Sequence, residues 1–314
     1  MRSLDAYQDQ PVYVVLGVQG SGTHLLSRFL TRVFGCSVLH DHAYVFEAAR
    51  RLGTRPSPRQ VAREIAALAA HLRPSRLRSL RMVRGIRDVA PFAGIEHALR
   101  PSDVRSGADF ARLVYAYRAA AVGAQHLAIK SDDIWEGLAD IDDVLPNRRV
   151  LLLTRDFRDN VVSIMHKPFG PVDPLCAARY VKARFAAYEA EHARAGAHGC
   201  VVRFETLVER SDLCVHEMAS RFGLTPVDDW DRVRQSIPTK PGRIGRWRTL
   251  SPRDQAQCEA LLCDELERHG YPLAFGAAAT PPSPLEGLAA RARDFVGRSR
   301  QKAAVLAGKV GQRW

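Results

Sequence analysis

Short apolar segments alternate with amphipathic segments along most of this chain. Five apolar runs have the length and composition of strands, namely residues 12–18, 36–39, 126–130, 149–154 and 200–204. The amphipathic segments are typical of helices and cover residues 25–34, 43–51, 60–72, 108–122, 160–166, 174–195, 211–222 and 252–269. This alternation predicts an α/β fold in three layers, with a mostly parallel central sheet flanked by helices.

The end of the chain differs from the rest in composition. The segment Thr280-Pro-Pro-Ser-Pro284 interrupts the helical pattern. We therefore predict a main domain over residues 1–279 and a Pro-rich break with a basic C-terminal tail over residues 280–314. In this tail four apolar residues have loosely helical spacing, namely Leu288, Phe295, Leu306 and Val310. The pattern predicts either a solvated terminal helix or frayed tail, or a segment that adheres to an anionic membrane or acceptor.

The overall charge favours anionic partners. The 314 residues include 46 Lys and Arg against 34 Asp and Glu, a net charge of +12. Such a field attracts nucleotides, sulfated or phosphorylated sugars, nucleic acid and anionic lipids without choosing among them. Hydrophobic residues make up 46% of the chain, which excludes global disorder.

Location is predicted from the cysteines and from apolar run lengths. The six cysteines contain no Cys-x-x-Cys pair, so they predict reduced thiols and neither a disulfide framework nor a zinc site. The first ten residues lack the apolar centre of a secretory signal, and no run approaches the length of a membrane span. The sequence therefore predicts a cytoplasmic protein, with peripheral membrane contact left open.

A glycine-rich loop follows the first predicted strand. The segment Gly17-Val-Gln-Gly-Ser-Gly-Thr-His24 stands between strand and helix, where glycines let the backbone approach a phosphate and the first helical N–H groups point at it. The hydroxyls of Ser21 and Thr23 can donate as well. The spacing resembles the P-loop of ATP and GTP enzymes, but Thr23 stands where that motif requires Lys. An ordinary nucleoside triphosphatase is therefore disfavoured.

A second pair of phosphate-binding side chains follows the strand at 149–154. Arg155 stands at the carboxyl end of this strand, where open α/β sheets bind ligands, and Ser163 lies eight residues further on. Such a pair can hold a phosphate by a charge-assisted contact and a hydrogen bond. With these residues the sequence resembles the bacterial and carbohydrate-type sulfotransferases that use 3′-phosphoadenosine 5′-phosphosulfate (PAPS). The resemblance implies that Ser21-Gly22-Thr23 holds the 5′-phosphosulfate and that Arg155 and Ser163 hold the 3′-phosphate.

Two later segments extend the resemblance over about residues 12–270. Arg203-Phe-Glu-Thr-Leu207 is similar to the family's Tyr-Glu-Asp-Leu element, with Phe204 near the adenine. Lys240-Pro-Gly-Arg-Ile-Gly-Arg-Trp-Arg248 is similar to the late loop that closes over the 3′-phosphate, in which Trp247 braces the loop or stacks near the adenine. The implied donor site consists of Gln19, Gly20, Ser21, Gly22, Thr23, His24, Arg155, Ser163, Phe204, Lys240, Arg243, Gly245, Arg246, Trp247 and Arg248.

The sequence departs from the family pattern at Gly20, where these enzymes usually carry a cation that contacts the sulfuryl group. Lys130, at the end of the strand 126–130, is our candidate for that cation, and His24 is a second donor to the sulfuryl oxygens. The resemblance places the catalytic base after the first helix. The candidates there are Glu47, His42 and Asp41, in that order.

The sequence thus predicts a P-loop-containing sulfotransferase that moves a sulfuryl group from PAPS to an acceptor hydroxyl or amine by in-line displacement, without a metal, and releases 3′-phosphoadenosine 5′-phosphate (PAP). An anionic or saccharide acceptor is expected: a glycan, a glycolipid or a small metabolite. The helical, Arg-rich insert at about 55–105, with its run from Arg73 to Arg87, is predicted to bind it. No specific nucleic acid is expected. The alternatives are a kinase-like phosphotransferase of the P-loop type and a non-catalytic nucleotide-fold module that binds anionic partners.

Overall fold

A parallel sheet forms the middle of the fold. The computed structural model describes residues 4–7, 9–40, 43–72, 94–130 and 141–306. Within these ranges the strands are β1 (Val12–Leu16), β2 (Cys36–His40), β3 (His126–Lys130), β4 (Arg148–Thr154) and β5 (Gly199–Arg203). They lie in the order β2-β3-β1-β4-β5, and each neighbouring pair is parallel. The predicted α/β fold with a parallel central sheet is confirmed.

Helices cover both faces of this sheet. They are α1 (Thr23–Val33), α2 (Ala43–Leu52), α3 (Pro58–Leu72), α4 (Ile95–Ala98), α5 (Gly107–Ala121), α6 (Ile141–Val144), α7 (Phe157–Met165), α8 (Pro174–Ala195), α9 (Phe204–Glu209), α10 (Ser211–Phe222), α11 (Trp230–Gln235), α12 (Pro252–Arg268) and α13 (Pro284–Leu306). Alternate strand residues enter two separate cores: Val12, Val14 and Leu16 pack with α5 and α8, whereas Tyr13 and Val15 pack with α1 and α10. The fold therefore has three layers.

Two predicted strands end earlier than their apolar runs. The ladder of β1 stops with the pair Leu16 and Leu152, so Val18 belongs to the following loop. Strand β5 ends at Arg203, and Phe204 is the first residue of α9. An apolar run alone does not distinguish a strand end from the buried start of a helix, which explains both differences.

The insert before α5 is partly described. Helix α3 packs against the core through Val61, Ile65 and Leu68, which are all buried. The Arg-rich run from Arg73 to Arg87 lies outside the described residues, so its role towards an acceptor stays a prediction.

The C-terminal segment continues as a helix that packs on the main domain. Helix α13 contacts α8, with Ala290 completely buried between them. The backbone N–H of Val172 donates to Asp294, and Arg293 pairs with Asp173 at 2.8 Å. These contacts fix the rotation of α13 about its own axis.

The six cysteines are free thiols, and burial raises the pKa of Cys200 and Cys214 to about 12. None of the described helices combines the length and the apolar character that crossing a bilayer requires. Within the described ranges, no group of three His, Cys, Asp or Glu side chains is placed to hold a metal ion.

Candidate functional site

The glycine-rich loop between β1 and α1 packs directly against two later segments of the chain. Gly20 and Gly22 have φ values of 93° and 107°, in the left-handed region that favours glycine. A Cβ on Gly20 would lie 2.3 Å from Oγ of Ser163, and a Cβ on Gly22 would lie 2.4 Å from the ring of Phe204. The fold thus brings together four residues that the sequence predicted for one site.

The beginning of α1 is open to an anion. Gly22 is the N-cap residue and offers no side-chain oxygen to the first N–H groups of the helix. The Oγ of Ser21 is buried and has no hydrogen-bond partner among the described residues, and Thr23 is buried beside it. Because buried polar groups are nearly always paired, this hydroxyl and the open helix end fit a bound phosphate oxygen.

Arg155 joins the loop to the segment around residue 243. Its side chain is only 2% exposed and donates to the carbonyl oxygen of Gly20 at 2.8 Å and to that of Arg243. Its guanidinium carbon lies 4.7 Å from the ring centroid of Phe204. Burial lowers the pKa of Arg155 from its ordinary value, although Asp159 opposes that shift. Arg155 therefore lies where β4, the glycine-rich loop and the segment around residue 243 meet.

Asp159 fastens the late loop, defined here as residues 240–248, to α7. Its carboxylate accepts from the backbone N–H groups of Gly245 at 2.8 Å and Trp247 at 2.9 Å. It also lies 3.4 Å from Arg155. Burial raises the pKa of Asp159, in opposition to Arg155 and the two N–H groups. The sequence analysis missed this residue, although an acid four positions after Arg155 at the start of a helix was an available signal.

Arg158 contacts the same loop, and the sequence analysis missed this residue as well. Its guanidinium carbon lies 4.1 Å from the ring centroid of Trp247. It bonds to Glu259 at 2.6 Å and to Asp156 at 2.8 Å. Burial opposes ionisation of Glu259, but its hydrogen bonds from three backbone N–H groups and the pairing with Arg158 lower its pKa overall. Trp247 is 5% exposed, so in this structure its indole braces the loop.

The basic residues of the late loop remain accessible. Lys240, Arg243 and Arg248 are exposed and Arg246 is half-buried. Gly245 has a φ of 76°, and a Cβ there would lie 2.3 Å from Nη1 of Arg248. The turn at Gly245 thus lets the Arg248 guanidinium pack closely on the loop.

Gln19 and His24 both belong to the glycine-rich loop, residues 17–24, which is called the phosphate loop from here on. Gln19 is buried and its Oε1 accepts from the hydroxyl of Tyr180 at 2.9 Å, which ties the loop to α8. Tyr180 was not predicted, because nothing in the sequence connects it with position 19. His24 is exposed on the first turn of α1.

Lys130 is the last residue of β3 and pairs with Val15 of β1, the strand that leads into the phosphate loop. Its side chain is 1% exposed, so this lysine is held inside the fold near the end of the sheet where the loop begins. Its proposed role towards the sulfuryl group is not tested by this placement.

One of the three candidates for the catalytic base, Glu47, lies within the described residues. The side chain of Glu47 is 60% exposed on α2, with a carboxylate oxygen 3.8 Å from Arg51. His42 and Asp41 lie outside the described residues. The identity of the base therefore stays a prediction.

A sequence model described as the sulfotransferase family matches residues 11–229, which is well over half of the chain. The chain belongs to the sulfotransferase family. The match includes the phosphate loop, Arg155, Ser163 and Phe204, and it ends before the late loop. A search of the curated proteins found no match.

Solved structures share the fold of this sulfotransferase. The sulfotransferase domain of the Synechococcus PCC 7002 olefin synthase has a TM-score of 0.52 and 17% identity, covering 84% of this chain and 96% of that one. The sulfotransferase domain from the curacin biosynthetic pathway has a TM-score of 0.54 and 13% identity, covering 84% of this chain and 99% of that one. Family membership favours sulfuryl transfer over the kinase-like and non-catalytic alternatives.

Proposed function

We propose that this sulfotransferase takes its sulfuryl group from PAPS and transfers it to a hydroxyl or an amine of an anionic or saccharide acceptor. One observation carries the choice of donor: the phosphate loop is in direct contact with Ser163 and with Arg155, and the buried hydroxyl of Ser21 within it has no partner among the described residues. PAPS carries phosphate on the 3′ and 5′ positions of one ribose, so it needs two adjoining phosphate sites.

One phosphate group of PAPS is assigned to the phosphate loop, and the other is assigned to the side chains that contact this loop. The loop residues Ser21, Gly22 and Thr23, with the open end of α1, would hold the 5′-phosphosulfate. Arg155 and Ser163 would hold the 3′-phosphate, because they meet the loop at Gly20. The late loop would close over the 3′-phosphate with Lys240, Arg243, Arg246 and Arg248, and Phe204 and Trp247 would border the adenine.

The reaction is an in-line displacement at sulfur. The acceptor oxygen or nitrogen forms its bond to sulfur while the bond from sulfur to the bridging phosphate oxygen breaks, and that electron pair leaves with PAP. The acceptor proton goes to the base, for which Glu47, His42 and Asp41 remain the candidates. Lys130 and His24 would stabilise the charge that grows on the bridging oxygen. This mechanism needs no metal ion.

The charge of the chain supports an anionic acceptor, and the six free cysteines support a reducing, cytoplasmic setting. The net charge of +12, to which the Arg-rich run from Arg73 to Arg87 contributes, favours anionic partners. A glycan, a glycolipid or a small metabolite would satisfy these features. No specific nucleic acid is proposed as a partner.

Calorimetric titration of PAP and ADP into the full chain tests the donor assignment. ADP lacks the 3′-phosphate, so we expect PAP to bind more than tenfold tighter, in line with charge-assisted hydrogen bonds worth about 1.5–3 kcal/mol each. Ser163→Ala and Arg155→Ala should both remove most of this preference. Because Arg155 is buried, Ser163→Ala is the variant that guards against a folding defect.

Arg232→Ala is the matched control, because this arginine is 82% exposed on α11, where it pairs with Asp229. It should bind PAP like the wild type. Equal binding of PAP and ADP, or binding of neither, would overturn the PAPS assignment.

A further inference from the structure

Helix α13 has one face fixed against the protein. Its inward residues are Gly287, Ala290, Asp294, Gly297 and Gln301, which recur every three or four positions. Asp294 accepts from the backbone N–H groups of Val172 and Asp173, and a Cβ on Gly297 would lie 2.3 Å from Val172. The opposite face of the helix must therefore point to solvent.

This outward face is apolar. Leu285, Leu288, Phe295 and Val296 are 78%, 60%, 75% and 46% exposed. At 3.6 residues per turn they lie on the side opposite Ala290 and Asp294. They are four of the seven large hydrophobic side chains that are exposed in the described part of the chain. A contiguous apolar stripe of this kind indicates a binding surface, whereas scattered single residues do not.

Arginines line both edges of the stripe. On the helical wheel Arg291 and Arg298 lie along one edge, and Arg293 and Arg300 lie along the other. Arg293 and Arg298 stay 59% and 46% exposed although they pair with Asp173 and Asp294.

The acids of this helix offset only part of that positive border, since Asp294 pairs with Arg298 at 3.9 Å. The carboxylate of Asp294 is turned inward onto the backbone of residues 172 and 173. Glu286 is engaged by Arg253, by Gln257 and by the backbone N–H of Ser283. The outward face therefore combines an apolar centre with a positive border.

We propose that this face of α13 docks on the surface of an anionic lipid bilayer, with the helix axis parallel to the membrane. Leu288 and Phe295 would enter the boundary of the acyl chains, and the bordering arginines would reach the lipid phosphates with their long side chains. The helix of 23 residues extends over about 35 Å, which gives a broad line of contact.

Charge complementarity favours a bilayer over a second copy of the chain. Two copies pairing through this stripe would bring arginine borders against arginine borders in either orientation, and like charges at short distance repel. A bilayer with anionic headgroups supplies both an apolar layer and negative charge.

Docking would also bring the donor site close to the membrane. Helix α8 joins the two, because its Tyr180 donates to Gln19 in the phosphate loop and Asp173 at its start holds Arg293 of α13. An acceptor at the membrane surface would then lie beside the site.

Co-sedimentation of the full chain with vesicles tests the proposal. We use vesicles of phosphatidylcholine alone and of phosphatidylcholine mixed with phosphatidylglycerol. Binding should be confined to the mixed vesicles, and Phe295→Ser or Leu288→Ser should weaken it about tenfold, the effect of losing one buried large side chain. Leu213→Ser is the matched control, because Leu213 is 41% exposed on α10.

The charged border is tested with a second pair of variants. Arg291→Glu should weaken binding to the mixed vesicles, while Arg232→Glu on α11 should not. Absence of binding to either kind of vesicle would overturn the proposal. Equal binding by all variants would replace it with a general attraction between a basic protein and anionic lipid. A dimer in solution that Phe295→Ser dissociates would assign the face to a second copy instead. Thermal unfolding of each variant shows whether a loss of vesicle binding reflects a loss of folding. PAP titration of each variant tests the donor assignment separately from docking.

Discussion

The carboxylate of Asp159 accepts a hydrogen bond from the backbone N–H of Trp247 at 2.9 Å. The same carboxylate takes the N–H of Gly245 at 2.8 Å and lies 3.4 Å from Arg155. One buried acid on α7 therefore connects the arginine proposed for the 3′-phosphate with the loop proposed to close over it. Because these groups share one partner, loop position and phosphate binding should depend on each other.

Asp159→Asn should loosen the late loop. An amide has only one acceptor oxygen, so its NH₂ group would face a backbone N–H or Arg155 and leave a buried donor unpaired, at a cost of about 1–3 kcal/mol. We expect faster tryptic cleavage after Arg243 or Arg248 and PAP binding that is weaker by roughly tenfold. Asp231→Asn, an exposed acid on α11, is the control. Unchanged cleavage and unchanged affinity would show that the loop does not depend on Asp159.

Gly20→Ala should abolish nucleotide binding, because the new methyl group would lie 2.3 Å from Oγ and 2.8 Å from Cβ of Ser163. Gly123→Ala is the matched control: its φ of 67° imposes a similar backbone strain, but a Cβ there meets nothing within 4 Å. Both variants should lose about 1–2 kcal/mol of unfolding free energy from left-handed backbone strain. Only Gly20→Ala should also lose PAP binding by calorimetry, and equal PAP affinities would contradict the proposed contact.

Lys130→Met should weaken PAPS binding more than PAP binding. Methionine keeps most of the buried side-chain volume but removes the ammonium group, and only PAPS carries the sulfuryl group that the proposal assigns to it. Loss of one charge-assisted contact corresponds to about tenfold in affinity for PAPS. Lys182→Met, on the surface of α8, is the control. An equal loss for both nucleotides would indicate a structural lysine.

The start of α13 should loosen in acid. Arg253, the N–H and hydroxyl of Ser283 and Gln257 lower the pKa of Glu286 from 4.5 to about 2. Because the folded-state pKa is the lower one, this carboxylate stabilises the fold above its unfolded pKa, and the contribution is lost as the pH falls from 4.5 towards 2.

Hydrogen exchange measured by mass spectrometry checks this prediction. After correction for the intrinsic pH dependence, protection of the first turns of α13 should fall over that acidic window in the wild type. In Glu286→Gln the protection should be low and nearly independent of pH, while Glu209→Gln should behave like the wild type. A wild-type profile as flat as that of Glu286→Gln would refute the role of this carboxylate.

Much of the fold could be predicted because hydrophobic periodicity reflects burial directly. The strand at His126–Lys130 and the helices at Pro174–Ala195 and Ser211–Phe222 have the predicted bounds. Some errors occurred at ends, as at Phe204, where an apolar residue suits a strand and a buried helix start equally well. The short helices α6, α9 and α11 were not predicted.

The sequence by itself, through local signals and the family resemblance, predicted the residues of one phosphate-binding site. Glycines at 20 and 22, Arg155 after a buried strand and Ser163 eight positions on are local signals, because turn geometry and strand ends depend on neighbouring residues.

Only the tertiary structure decided what fixes these residues in place. Gln19 bonds to Tyr180 across 161 positions, and Arg158 bonds to Glu259 across 101. Packing against α8 likewise decides which face of α13 is buried and leaves the apolar stripe exposed to solvent. Such partners are distant in the chain, and local periodicity contains no information about which helix will lie opposite a given side chain.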